Sequence, residues 1–89
     1  MPSVLVPPPY RGPTQGEGKV EVSAETVRAC IAAVEDRHPG FAELIYAPDG
    51  SVHRIVKLFL NGELVPPAEL DRLVSEGDSL EVVAAIAGG

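Results

Sequence analysis

One apolar stripe with the period of an α-helix lies in a chain whose other apolar residues mostly alternate. Val27, Cys30, Ile31 and Val34 are spaced at i, i+3, i+4 and i+7, which places them on one side of a helix. Thr26 precedes the stripe and is a favourable N-cap residue. The sequence therefore predicts one main helix of about three turns, and its apolar side requires a second layer to cover it.

The helix is expected to end at His38-Pro39-Gly40, because proline and glycine stop a helix and His38 suits its negative end. Cys30 lies on the apolar stripe, so we interpret it as a small core residue and not as a nucleophile. The chain has one cysteine and two histidines, at positions 38 and 53. These residues form no recognisable disulfide or metal motif.

The second layer is predicted to be a sheet of four to five strands. Candidate strands occupy residues 3–6, 19–23, 54–60, 63–65 and 79 onward. Residues 10–18 lack periodicity and are expected to form a long loop between the first two strands. Two strands, one helix and three further strands predict an α+β fold with one main helix.

Alternation assigns the side chains of the two longest candidate strands to faces. The inward set is predicted to be Val56, Leu58, Leu60, Leu80 and Val82, and the outward set Ile55, Lys57, Phe59, Glu81 and Val83. Asn61-Gly62 favours a type I′ hairpin turn, which requires positive φ at both positions. Leu70 and Leu73 are expected to cover one end of the core from a single helical turn.

Length and charge limit the function classes. The chain has 89 residues and a net charge of −6, from 13 acidic and 7 basic residues. This length allows one domain, and the charge argues against nucleic acid and favours a partner with a basic face. No apolar run is long enough for a membrane span, and the start does not resemble a signal peptide. We therefore expect a cytoplasmic protein that does not bind membranes.

The chain ends in Gly88-Gly89, after a strand that loses every bulky side chain except Ile86. We predict one folded domain over residues 1–85 and a flexible tail over residues 86–89. Residues 85–89 can extend roughly 13–16 Å at about 3.3 Å per residue. A thin tail with a main-chain carboxylate suits a narrow active site in another protein. A flexible linker would also end this way.

Four segments resemble one family. They are Leu58-Phe59-Leu60-Asn61-Gly62-Glu63, Glu76-Gly77-Asp78, the Ala-Ile-Ala-Gly-Gly ending, and Val52-His53-Arg54. Together with the element order they resemble the β-grasp (ubiquitin-like) fold of MoaD/ThiS-type sulfur carriers, which has a mixed sheet. The similarity is greatest to CysO-like carriers of cysteine biosynthesis. The chain lacks the prolines that often precede the tail in molybdopterin-synthase subunits, and residues 10–18 are longer than the loop of the thiamine carrier.

The resemblance implies a protein co-substrate and not an enzyme. A ubiquitin-activating-like adenylating enzyme of the MoeB/ThiF type would use ATP to activate the carboxylate of Gly89. A sulfur donor such as a sulfurtransferase would then produce a thiocarboxylate, and a downstream synthase would accept the sulfur. Gly88, Ala87 and Ile86 would guide the tail. The carrier would bind no cofactor and would be a monomer when free.

The resemblance also implies a partner surface that consists of Phe59, Val83 and Lys57, beside the last strand. Alternatively, Phe59 is one of the scattered apolar residues that most surfaces have. Three other functions stay open: the small subunit of molybdopterin synthase, a ubiquitin-like protein modifier, and a non-catalytic interaction domain. The first two would also use the terminal glycine.

Overall fold

Five strands form one sheet in the order β2-β1-β5-β3-β4 in the computed structural model, which describes residues 1–84. The strands are β1 (Ser3–Leu5), β2 (Lys19–Glu21), β3 (Val56–Leu60), β4 (Glu63–Val65) and β5 (Ser79–Ala84). The helices are α1 (Val27–Arg37) and α2 (Ala42–Ile45), with 3₁₀ turns at Pro8–Tyr10 and Pro67–Glu69.

The sheet is mixed, with both parallel and antiparallel pairs of neighbouring strands. β5 pairs with β1 in parallel, and the other neighbouring pairs are antiparallel. β5 is therefore hydrogen-bonded on both sides, to β1 and to β3. The predicted α+β architecture, with four to five strands and one main helix, is confirmed.

Helix α1 begins and ends where the sequence predicts. The Thr26 hydroxyl accepts a hydrogen bond from the Ala29 amide at 3.0 Å, which satisfies one of the free amides of the first turn. At the other end the His38 amide donates to the Val34 carbonyl at 2.7 Å. Between them, the apolar stripe of α1 is fully buried. Burial also raises the pKa of the Cys30 thiol, which keeps it protonated and unreactive.

The sheet contributes the other half of the core. Alternation is confirmed in β3 and β5, where the inward positions are buried and consist of Val56, Leu58, Leu60, Leu80 and Val82. Phe41, just before α2, is also fully buried. Asn61 and Gly62 have φ angles of 52° and 86°, which confirms the type I′ turn between β3 and β4. In residues 1–84 no helix has the length and apolar character to cross a bilayer.

The prediction for Leu73 is wrong. Leu70 is buried, but Leu73 is 74% exposed and Val74 is buried in its place. The helical turn is a short 3₁₀ segment that ends at Glu69. After a turn at Leu70 and Asp71 the chain becomes extended, with Leu73 bridged to Thr26. Neighbouring side chains point to opposite sides of an extended chain. Val74 therefore faces the core and Leu73 faces solvent.

The long loop of residues 10–18 connects β1 and β2 as predicted, and it packs against the domain. Tyr10 is buried and Thr14 is fully buried. The Thr14 hydroxyl donates to the Glu17 carbonyl at 2.9 Å, so its polar group is satisfied inside the loop. No periodic pattern in residues 10–18 indicates that either side chain is buried.

Candidate functional site

The tail begins at the end of a central strand. β5 ends at Ala84, which lies opposite Val56 at the start of β3. The last described residue therefore lies on the central strand of the sheet and not on an edge strand. The predicted tail residues Gly89, Gly88, Ala87 and Ile86, and the predicted domain boundary after residue 85, lie outside the described residues.

Four apolar side chains lie on the outer face of the sheet near this point. Phe59 has Glu81 on one side and Leu64 on the other, and Leu5 lies beyond Glu81. Phe59, Val83 and Leu5 are partly exposed, and Leu64 is 50% exposed. We call Leu5, Phe59, Leu64 and Val83 the outer-face patch, and its partial exposure allows it to contact a partner.

The register corrects one detail of the predicted surface. Val83 lies directly opposite Lys57, and Phe59 lies opposite Glu81. Phe59 and Val83 are therefore diagonal neighbours, roughly 7–8 Å apart in a sheet. Lys57 is exposed and follows Val56, the residue of β3 that pairs with Ala84 at the end of β5. The outer face thus presents apolar groups with a cation beside the start of the tail.

A groove of about 430 Å³ runs along the last part of β5, on the side of β1. Its lining includes Leu5, Pro7, Arg11, Val83 and Ala84. The groove is open to solvent and reaches the last described residue of the strand. No sequence pattern indicates this groove, because the triproline segment and the end of β5 are about 75 positions apart and come together only in the fold.

Arg11 is held in the wall of the groove by two contacts. Its Nε donates to the Val6 carbonyl at 3.0 Å. Its guanidinium also lies against Gly18, where a Cβ would come within 2.5 Å of Nη2. A side chain at position 18 would therefore displace the guanidinium. Arg11 was not among the predicted site residues, because a lone arginine in an aperiodic loop has no sequence signal of its own.

The two histidines do not meet in a common site. His38 lies at the end of α1, with Nε2 3.7 Å from a Glu17 carboxylate oxygen. His53 lies before β3, and its amide donates to the Ile45 carbonyl at 2.9 Å. Within residues 1–84, no three His, Cys, Asp or Glu side chains gather in a way that could hold a metal ion.

Comparison with known proteins decides the family. The model of the ThiS family matches residues 10–89. The chain belongs to the ThiS family. The sulfur carrier protein CysO of Mycobacterium tuberculosis (strain ATCC 25618 / H37Rv) is 32% identical over 90 residues, which are 98% of this chain and 97% of that relative.

Two solved structures share the fold of this ThiS-family chain. A chain of the Amycolatopsis orientalis BexX/CysO complex has a TM-score of 0.90 and 33% identity, with 100% of both chains covered. CysO of M. tuberculosis has a TM-score of 0.88 and 29% identity, covering 97% of this chain and 100% of that one. The predicted β-grasp fold and the similarity to CysO-like carriers are confirmed.

Proposed function

We propose that this ThiS-family chain is a sulfur carrier whose Gly89 carboxylate is converted to a thiocarboxylate. The observation that supports this most is the near full-length relationship to the sulfur carrier protein CysO. A central strand that leads towards Gly88-Gly89 gives the same chemistry a physical basis. The sulfur acceptor that we propose is a precursor of cysteine or of a specialised sulfur-containing metabolite.

The proposed chemistry has two steps, both at the carbonyl of Gly89. In the first, a carboxylate oxygen attacks the α-phosphorus of ATP, and pyrophosphate leaves. In the second, sulfide supplied by the donor attacks the carbonyl carbon, the bond between that carbon and the AMP oxygen breaks, and AMP and a proton depart to leave a thiocarboxylate. A carboxylate oxygen is a poor leaving group, whereas AMP is a good one. Glycine leaves the carbonyl unhindered for the attacking sulfur.

In this proposal the chain is a co-substrate, and partner enzymes perform the catalysis. ATP binds to an adenylating enzyme of the ubiquitin-activating type. The outer-face patch and Lys57 dock on that enzyme, while Gly88, Ala87 and Ile86 thread into its active site. A CysO chain in the A. orientalis BexX/CysO complex supports the idea that such carriers bind a partner.

Adenylation tests the proposed function. We expect the full-length chain, ATP and an adenylating enzyme of the same organism to release pyrophosphate. The carrier should gain the mass of an adenylyl group when no sulfur donor is present. If no adenylating enzyme of that organism acts on the full-length chain, the proposal is wrong.

Replacing Phe59 with alanine tests the docking surface. We expect Phe59→Ala to weaken binding to the adenylating enzyme by more than about 1 kcal/mol, as truncation of an interface anchor does. Leu58 is the matched control, because it is the preceding residue of β3 but is 2% exposed. Leu58→Ala should cost more stability, about 2–5 kcal/mol.

Calorimetric binding and thermal melts of both variants provide the measurements. The expected pattern is a loss of affinity for Phe59→Ala with a modest change in melting temperature. Unchanged affinity for Phe59→Ala would remove Phe59 from the docking surface. A fall in melting temperature for Phe59→Ala as large as that for Leu58→Ala would show that Phe59 contributes to the packing of the domain.

A further inference from the structure

The basic residues of this acidic chain are unevenly distributed. Of the 7 lysines and arginines, Arg28 pairs with Asp71, and Arg72 pairs with Glu63 and Glu69. Arg37 donates to the Glu21 carbonyl. Within residues 1–84, the other four form no ion pair with a carboxylate; they are Arg11, Lys19, Arg54 and Lys57.

These four residues lie near the end of the sheet where β5 finishes. Lys57 is opposite Val83, and Arg11 lines the groove with Val83 and Ala84. Arg54 comes two residues before Val56, the partner of Ala84. Lys19 lies at the start of β2, opposite Leu5. We call Arg11, Lys19, Arg54 and Lys57 the basic rim.

Acidic residues lie at the opposite end of the same strands. Glu21 lies there on β2, opposite Ser3, and Ser3 pairs on its other side with Ser79, the first residue of β5. Glu76 and Asp78 lie in the turn that precedes β5. Glu76 contacts the N-terminal ammonium at 2.9 Å. Asp78 accepts from the Asn61 amide at 3.0 Å and from the Ser75 backbone at 2.7 Å, and these bonds lower its pKa.

Other carboxylates lie nearer to the basic rim, and one of them, Asp49, lines the same surface pocket as Arg54. Glu81 lies between Phe59 and Leu5 on the outer face. Glu17 lies in the loop that contains Arg11, and its carboxylate faces His38 at the end of α1. The outer face is therefore polarised along its strands, with most of its unpaired cations beside the start of the tail.

The two ends of the strands are far enough apart that a partner bound at one end interacts mainly with the charges of that end. β5 runs from Ser79 to Ala84, which is roughly 17 Å at about 3.3 Å per residue. Charges in water are screened over about 8–10 Å at physiological salt. A partner that holds the tail therefore meets the cations of the basic rim and is largely screened from the acidic end. The net charge of −6 alone would predict a partner with a basic face.

We propose that the enzyme face that receives the tail is acidic around an apolar centre, with its carboxylates opposite the basic rim and its apolar groups on the outer-face patch. This inference rests on the proposed function. Charges at the rim of an interface act mainly on the rate of encounter and on register. The basic rim would thus orient the carrier so that its tail points into the active site.

Charge reversal at two exposed positions tests the inference. The variants are Lys57→Glu and Arg54→Glu, and the matched control is Arg37→Glu, which changes the net charge equally but lies at the end of α1 next to Glu21. The probe is the adenylating enzyme that acts on the full-length chain. At physiological salt we expect each basic-rim reversal to slow association by about 10-fold, and across a salt series we expect it to reduce the dependence of the association rate on salt.

Arg37→Glu is expected to change the association rate at physiological salt by less than about 2-fold. Arg37 contacts Glu21, at the end of the sheet opposite Ala84, and the roughly 17 Å length of β5 exceeds the screening distance of about 8–10 Å. Thermal melts confirm that all three variants are folded. Equal slowing by all three variants, or faster association after reversal of the basic rim, would overturn the inference. If the wild-type chain is adenylated and the variants associate normally, this inference alone fails. Absence of wild-type adenylation overturns the proposed function and this inference together.

Discussion

Replacing Ile31 with alanine is expected to lower the free energy of unfolding by about 2–5 kcal/mol. Ile31 lies on α1 and is 0% exposed, in the core between the helix and the sheet. Alanine would remove the buried methyl and methylene groups and leave a cavity that the neighbouring side chains fill only in part. Because small domains have about 5–15 kcal/mol of stability in total, this loss is a large share.

Ile55→Ala provides the matched control for this measurement. The same atoms are removed, but Ile55 is 45% exposed in the turn before β3. We expect a change within about 0.5 kcal/mol there, as for most surface substitutions. Chemical denaturation of both variants gives the two free energies. Equal losses at the two positions would contradict the burial that the structure assigns to α1.

Deleting Gly88-Gly89 is expected to abolish adenylation and to leave the melting temperature nearly unchanged. Within residues 1–84 the buried core runs from Val4 to Val82, and glycines have no side chain to bury, so we expect loss of the last two residues not to affect its packing. The new terminal carboxylate would belong to Ala87 and would reach about 7 Å less far. It would then stop short of the ATP in an active site that fits the full tail.

Pyrophosphate release and a thermal melt of the deletion variant provide the two readouts, with the full-length chain as reference. A large drop in melting temperature would mean that Gly88-Gly89 packs against the domain. Pyrophosphate release at the rate of the full-length chain would mean that the terminal glycines are not the activated group. Either result would contradict the expected division between a folded domain and a tail that carries the function.

The helix, strand faces and hairpin turn could be predicted from sequence because each depends on neighbours within one element. Ile31 and Val34 show the helical period, and Leu58 and Leu60 show the strand period. The extended segment at Leu73 could not be predicted in this way. It is held by a bridge to Thr26, which is 47 positions earlier in the chain, and tertiary pairing overrode the local helical interpretation.

The candidate site was predictable only in part, for the same reason. Phe59 and Val83 were assigned to the outer face by alternation, but their relative register depends on how β3 and β5 pair. The position of the Arg11 side chain depends on its contacts with Gly18 and with the Val6 carbonyl. The basic rim comes from three separate parts of the chain. No local pattern indicates that these residues meet beside the tail.

The mass of the intact carrier after incubation with its adenylating enzyme, ATP and a sulfur donor tests the central claim most directly. We expect the mass to increase by that of one oxygen-to-sulfur exchange at Gly89. The increase should depend on ATP and should be absent from the chain without Gly88-Gly89. Adenylation that leads to conjugates with protein lysines, and to no thiocarboxylate, would instead identify a modifier and contradict the carrier function.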